Sequence, residues 1–489
     1  MYSYTPEIIP FNSPVKRRLF SEAQLDILKS SVLRILEEKG IHFPSKRALS
    51  IFADHGAQVD IKNEMAKIPP EIVEKAISTA PRSFVLAGRE ERFDLRLGGE
   101  ESYHIPSSCG VHFIDPESRV KRKSTKADLS EITRVFDALP LMNIVRPIIA
   151  ATDCGLTSGI HECQALLTHS LKHVRGGTSM HPELAPYLVE MARIVSGSVE
   201  AFRNRPVVNA NICTLAPLSH DKHSVECALI YAEAGMPVSM MAMPVMGTTA
   251  PASPMAALIV GEAEVVSGIV LLQLAYPGTP VIHSNLVGLM DPLSANCVLD
   301  VSVPVGTAAV QMAQQIWEIP SLGGVMGCMN AKSIGWESGM VDGQASILMN
   351  LDGADIPGFT CLLDDAMTVF PEHIILVNET LQRAHEFLHT IEFSEEDLAI
   401  DLIKHVGPRG HFLMESHTVD NFRRIRHTKI LRQPVDDGKE KDPREVALEQ
   451  YKQIAKTHHP KALPEKIVAE LEKIVAAADR KASQIGNAP

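Results

Sequence analysis

Apolar and polar residues alternate in two different rhythms along this chain. Over residues 1–100 they suggest a separate helical and mixed layer. Ser21 stands as an N-cap before residues 23–39, where Leu25, Leu28, Val32, Ile35 and Leu36 recur on one helical face until Gly40 ends the run. A second helical pattern covers residues 45–55 and stops at Gly56, and a third follows Pro69-Pro70 as far as Ala80. Residues 84–98 read as a hairpin, with Phe84-Val85-Leu86 facing Phe93-Asp94-Leu95.

Beyond residue 101 short apolar runs alternate with helical patterns. Strands are expected at 102–105, 144–152, 173–178, 207–214, 237–243, 280–286, 321–327 and 358–363. Their near-continuous apolar character suits parallel strands covered on both faces. Helical patterns fill the intervals at 126–139, 160–172, 183–196, 222–233, 254–275, 303–317 and 337–351, with a last one at 365–388. Eight such units over roughly 290 residues are what an α/β fold of the TIM (β/α)8 barrel type requires. An open doubly wound sheet competes, but no GxGxxG turn follows the first strand. The expected organisation is an N-terminal extension over 1–100, a barrel over 101–392 and a helical tail over 393–489. In the tail, residues 393–403 and 418–426 read as packed, 433–444 as a charged connector, and 445–457 and 465–484 as helices. The tail is read as a clasp around the barrel or a contact surface between subunits of a homo-oligomer.

Charge narrows the partners. A net charge of −12, spread along the chain, is a poor footprint for nucleic acid, and the one basic run, Lys121-Arg122-Lys123, reads as a solvated loop. No window of eighteen uninterrupted apolar residues occurs, so no membrane span is expected. Residues 1–20 lack an apolar signal core, and the eight cysteines are scattered without a CxxC pair. Both observations point to the cytoplasm, with thiols kept reduced.

In a barrel of this type function sits where the strands end. Those places offer Asn209, Asn211 and Thr214, then His283, Ser284 and Asn285, and a Gly-rich stretch through Gly327 and Cys328. Neutral hydrogen bonders dominate, and no pair of carboxylates suggests acid–base work. Tyr103, Phe113, Trp336 and Phe359 fall near strand ends, and aromatic faces hold a permanent cation without needing a hydrogen bond. Each ring has the alternative of being core filler. Other chemistries fare less well. His161 and Cys163 lie two apart on a helix start and point to different faces, so no metal site is expected. Gly176-Gly177-Thr178-Ser179 lacks the lysine of a phosphate loop, and Asp364-Asp365 reads as a helix cap before it reads as a magnesium site. Lys172 and Lys332 border strands without lying inside them, which disfavours a Schiff-base lyase.

Several stretches carry a family resemblance: Val111-His-Phe-Ile-Asp-Pro-Glu-Ser-Arg-Val-Lys-Arg with Thr125-Lys-Ala-Asp-Leu, Ala138-Leu-Pro-Leu-Met-Asn, Lys172-His-Val-Arg-Gly-Gly, Pro206-Val-Val-Asn-Ala-Asn, Met243-Pro, Gly261-Glu-Ala-Glu and Gly323-Gly-Val-Met-Gly. In these the chain resembles the trimethylamine methyltransferase superfamily, in its branch without pyrrolysine, over about residues 15–435. The resemblance implies a TIM barrel that passes a methyl group to the Co(I) of a corrinoid carried by a cognate partner protein, with no tightly bound cofactor of its own. It places the loop from Gly327 and Cys328 to Ala331 where the archaeal enzyme carries pyrrolysine, facing the corrinoid. With only ordinary amino acids there, the implied substrates are quaternary amines such as glycine betaine, proline betaine or carnitine. Tyr103, Trp336 and Phe359 are the expected cage for the ammonium, and Asn211, His283 and Asn285 the expected donors to the carboxylate. No catalytic residue is assigned. A non-catalytic betaine-binding or corrinoid-accessory protein and a TIM-barrel lyase are the competing readings.

Overall fold

The computed structural model describes residues 6–13, 15–176, 181–299, 303–388, 394–424, 430 and 441–485. The fold is mixed α/β, built on a parallel sheet. Strands Ile144–Val145, His173–Gly176, Val208–Cys213, Val238–Ala242 and Val281–Asn285 pair in parallel, each with the next in the chain. Parallel pairing continues at both edges. His283 bridges Ser321, Leu322–Gly323 pairs with Ile356–Pro357, and Gly358 bridges Ile105. The His104 carbonyl in turn accepts from the amides of Asn143 (2.9 Å) and Ile144 (3.4 Å).

Alternation along these strands sorts side chains to two buried faces. Val145, Val174, Val208, Ala210, Ile212, Val238, Met240 and Val281 face the helices and join the main core. Ile105, Ile144, Met241, Ile282, Leu322 and Ile356 meet on the other, inner face. There the expected hairpin forms with its second strand at Leu95–Leu97 in place of 93–95, because Glu91–Phe93 makes a helical turn, and it lays Leu86, Leu95 and Leu97 against them.

The Pro254–Ala275 helix is apolar all round, long and apolar enough by composition to cross a membrane, yet most of it is buried inside the fold. One side packs on the Val238–Ala242 and Val281–Asn285 strands. The N-terminal helices Glu22–Arg34, Lys46–Asp54 and Pro70–Ile77 cover the other. Its approach to the sheet needs glycine. A Cβ at Gly261 would lie 2.1 Å from Asn285 Oδ1, and one at Gly268 2.4 Å from Met240 Cε.

Other sequence expectations also differ from the structure. The basic run is a strand, Lys121–Lys123, paired with His112–Ile114, and Arg122 is fixed by Asp115 and Asp128. The last parallel strand is Ile356–Pro357, ahead of the expected 358–363. After it Phe359, Cys361, Asp364, Asp365 and Ala366 all take positive φ, so the chain turns and the helix begins only at Pro371. Within 393–403 and 418–426 the described residues form helices Ile400–Val406 and Ser416–Arg424. The first buries no residue, and Leu398, Ile403 and Val419 lie open to solvent. Helices Pro443–Thr457 and Glu465–Ile485 do wrap back, through Tyr451 to Glu131, His458 to Asp137 and Asp479 to Thr157.

Glu264, on the long helix, holds the turn after the Val208–Cys213 strand by accepting from Thr214 Oγ1 (2.5 Å) and the Leu218 amide (2.9 Å). Burial pushes its carboxyl up to about 7 from an ordinary 4.5. The folded chain therefore binds this proton more tightly than the unfolded one. The stabilisation is complete below pH 4.5 and is lost as pH rises through 7, amounting to about 3 kcal/mol. Glu264→Gln, which mimics the protonated acid, is expected to flatten the fall in denaturant stability between pH 5 and pH 8. An unchanged slope would show that Glu264 does not set it.

Candidate active site

The C-terminal ends of the parallel strands bring together a set of buried donors on the inner face. Arg146 follows Ile144–Val145, and Arg175 lies in His173–Gly176. Since Ile144 pairs with His173 and Val145 with Val174, the next step of the register sets the two arginines side by side on neighbouring strands. Each is only 2% exposed. Arg175 Nη2 donates to Asn211 Oδ1 and to Ser239 Oγ (3.1 Å), and Arg146 Nη2 donates to Ser108 Oγ. Among the described residues the Nε and Nη1 atoms of both have no hydrogen-bond partner. Among the described residues no carboxylate contacts either guanidinium. Burial lowers Arg146 to about 10, and burial together with Arg146 lowers Arg175 well below its ordinary value. Guanidinium groups keep their proton inside proteins, so two uncompensated positive charges stand here.

Phe359 lies at the same end, its ring 5.4 Å from Arg146 Cζ. The cation over this ring is the protein's own. Cys213 shares the inner face with Asn211, which donates to its sulfur at 3.8 Å, and burial pushes the Cys213 thiol up.

The other residues singled out in the sequence lie elsewhere. Tyr103 sits at the opposite end of the strands. Its amide donates to Asp355, four residues before Phe359, a separation of about 13 Å along a strand. Its hydroxyl donates to Glu101 and accepts from the Arg96 amide, in the layer of the hairpin leucines. His283 and Asn285 point outward to the long helix. Glu262 Oε2 accepts from His283 Nε2 (3.0 Å) and Trp317 Nε1 (2.8 Å), and Glu262 Oε1 from Asn285 Nδ2 (3.0 Å). Phe113 is buried in the main core under Arg122. Trp336 is 86% exposed at the start of its helix. The Gly327 amide donates to the Phe359 carbonyl (3.1 Å), while Cys328 is buried with Ala331 and Leu363, its amide donating to Asp342 (2.8 Å).

The discounted chemistries are also placed. Lys172 is buried, and its ammonium donates to the carbonyls of Phe136, Leu139 and Met142 at 2.6–2.9 Å, away from the inner face. Lys332 pairs with Asp364 and Asp365, and Lys121 with Asp364, so that acidic pair is neutralised and caps no helix. His161 meets Lys126 and Asp479, whereas Cys163 is core. No group of three or more metal-ligating side chains occurs among the described residues. Gly177, Thr178 and Ser179 of the phosphate-loop candidate lie outside the described residues. Arg146 and Arg175 went unnoticed in the sequence, although Val-Arg recurs at the same step of two successive strands.

Residues 8–485 match the family described as trimethylamine methyltransferase (MTTB). The chain is 31% identical to a trimethylamine methyltransferase of Desulfitobacterium hafniense, covering 93% of each chain. It is 29% identical to a glycine betaine methyltransferase from another strain of that organism, covering 94% of this chain and 97% of the relative. Among solved structures it is similar in fold to the Methanosarcina barkeri monomethylamine methyltransferase, with a TM-score of 0.51 and 11% identity over 93% of this chain and 88% of that one.

The outward placement of His283 has a measurable consequence. Glu262→Ala leaves His283, Asn285 and Trp317 without their buried acceptor, an expected loss of about 3–5 kcal/mol in urea unfolding. Glu262→Gln is expected to cost less. If Glu262→Ala were as stable as the parent, this carboxylate would not be what ties the strand to the helix.

Proposed function

Because the chain belongs to the trimethylamine methyltransferase family, we propose that it demethylates a quaternary amine of the betaine class and passes the methyl group to a corrinoid protein. The chain is a methyltransferase by family. The pairing of strands from Ile105 through Gly358 and back supports reading it as a (β/α)8 barrel, with residues 1–100 and 393–489 as extension and tail.

One observation carries the choice of chemistry: at the strand ends Arg146 and Arg175 gather with neutral donors, and among the described residues no carboxylate contacts them. A substrate that had to be protonated to react would need an acid at this place. A quaternary nitrogen does not, since its N–CH3 bond breaks with the electron pair left on nitrogen and the product is a neutral tertiary amine. The reduced corrinoid of the partner supplies the nucleophile that takes the methyl. What this chain contributes is orientation, exclusion of water and charge matching. The loop after Leu322–Gly323 is stitched to the loop after Ile356–Pro357 by the Gly327, Asp364 and Ala366 amides, which gives the inner face a fixed wall.

The acceptor has to come from outside, and the loops at this end suit a protein partner. Leu215, Met243, Leu293 and Trp336 each follow a different parallel strand, and each is at least half exposed, Leu293 at 95%. An apolar rim of this kind, unusual on a surface left bare, supports a docking role for Trp336 in place of the cage expected from sequence.

Two outcomes are expected. With a reduced corrinoid protein, at least one betaine is demethylated, read at the cobalt absorbance bands, and trimethylamine, dimethylamine and monomethylamine are not. Robust methyl transfer from trimethylamine would overturn the substrate class. Trp336→Ala is expected to raise the partner concentration needed for half-maximal rate about thirtyfold, as loss of an interface anchor does, with betaine affinity unchanged. Weaker betaine binding without change in partner dependence would return Trp336 to the substrate site.

A further inference from the structure

Two fully buried guanidiniums side by side repel each other, and each costs several kcal/mol to take out of water without a counter-charge. Their immediate neighbours, Ser108, Asn211 and Ser239, are neutral and engage only the Nη2 atoms. Among the described residues four N–H-bearing atoms, Nε and Nη1 of each, stay unmatched in a layer where buried donors are normally satisfied. A carboxylate has two oxygens with about four lone-pair positions, enough to meet one open N–H edge of each guanidinium.

We infer that Arg146 and Arg175 together bind the carboxylate of the substrate and thereby restrict the enzyme to zwitterions. The rest of the substrate's identity rests on the proposed function; the anion site does not. A purely cationic amine such as choline or tetramethylammonium would add a third positive charge beside two that no described carboxylate neutralises. Phe359 does not offset this, because Arg146 already occupies the ring. A betaine cancels one charge with its carboxylate and keeps its methylated nitrogen on the side of the loops, where a partner has access. Both arginines follow a valine at the C-terminal end of a strand, so a carboxylate held between them leaves the methyl groups to point outward, past the strand ends.

The test uses the whole chain, without a corrinoid partner, in a calorimeter. Four ligands separate the charges: glycine betaine, its carbon isostere 3,3-dimethylbutyrate, choline, and 3,3-dimethylbutanol. Both carboxylates are expected to bind, and both alcohols about a hundredfold more weakly. Arg175→Met and Arg146→Met are expected to lose about a hundredfold in affinity for the two carboxylates and to bring betaine and choline within a few-fold of each other. Arg175→Lys should retain part of the preference. Because the methionine variants remove unpaired buried charge, they are expected to unfold no earlier than the parent, whereas arginines serving only the fold would lower stability when lost.

Parent protein that binds choline as tightly as betaine, or methionine variants that keep the parental preference, would overturn the inference. So would inorganic sulfate displacing betaine at equal concentration, which would show a general anion site. Failure of the proposed function looks different: arginine-dependent binding of betaine with no methyl reaching any corrinoid acceptor would remove that function and leave the anion site standing. Methyl transfer from betaine and choline alike, insensitive to Arg175→Met, would do the reverse.

Discussion

The structure hangs on a helix that has no solvent face. Pro254–Ala275 is pressed between the parallel sheet and the N-terminal helices, and a helix buried on all sides has nowhere to place polar groups except against partners. Its polar residues are therefore ties. Glu262 gathers His283, Asn285 and Trp317, drawing together a strand, the long helix and the end of the next helix. Two residues on, Glu264 fixes the turn that follows the neighbouring strand. Gly261 and Gly268 allow the backbone close enough for these bonds to form. The N-terminal layer is thus the cover without which this helix would present an apolar face to water.

Charge is distributed by the opposite logic on the inner face. Elsewhere among the described residues several buried ionic groups have partners: Lys172 has three carbonyls, Asp342 has His373, and one oxygen of Asp352 has Arg17. At the strand ends Arg146 and Arg175 have neutral neighbours and each other. A fold able to satisfy so many buried groups tolerates this exception where it lines the expected reaction site, in keeping with strain and unmet polarity collecting at functional positions.

Much of the architecture was legible in the chain because parallel strands with two buried faces write themselves as short apolar runs. The Pro254–Ala275 helix has the bounds its pattern suggested. What those runs conceal is which alternate side chain faces inward. His283 and Asn285 look like site residues at the end of a strand, but the Val281–Asn285 register turns Ile282 and Ser284 to the inner face and sends His283 and Asn285 to Glu262. Ile356–Pro357 is too short, and its proline too discouraging, to read as a strand. The positive φ values after Phe359 leave no mark at residues other than glycine. Lys121–Lys123 shows only three alternating positions, too few for a period. Arg146 and Arg175 were readable, as charges inside apolar strands, but their meaning depends on a register that only pairing supplies.

The hairpin at residues 84–97 bears on timing as well as shape. Leu86, Leu95 and Leu97 lie across the end of the inner face opposite Phe359, against Ile105, Ile144, Ile282, Leu322 and Ile356, so that among the described residues the loops at the Phe359 end are the doorway left to this face. A partner seated on that doorway would cover the same passage the small molecules use. Substrate would then have to load before the partner arrives, and the demethylated amine would have to wait for it to leave. Such an enzyme works as a queue with compulsory order, in which excess partner slows turnover by trapping empty protein.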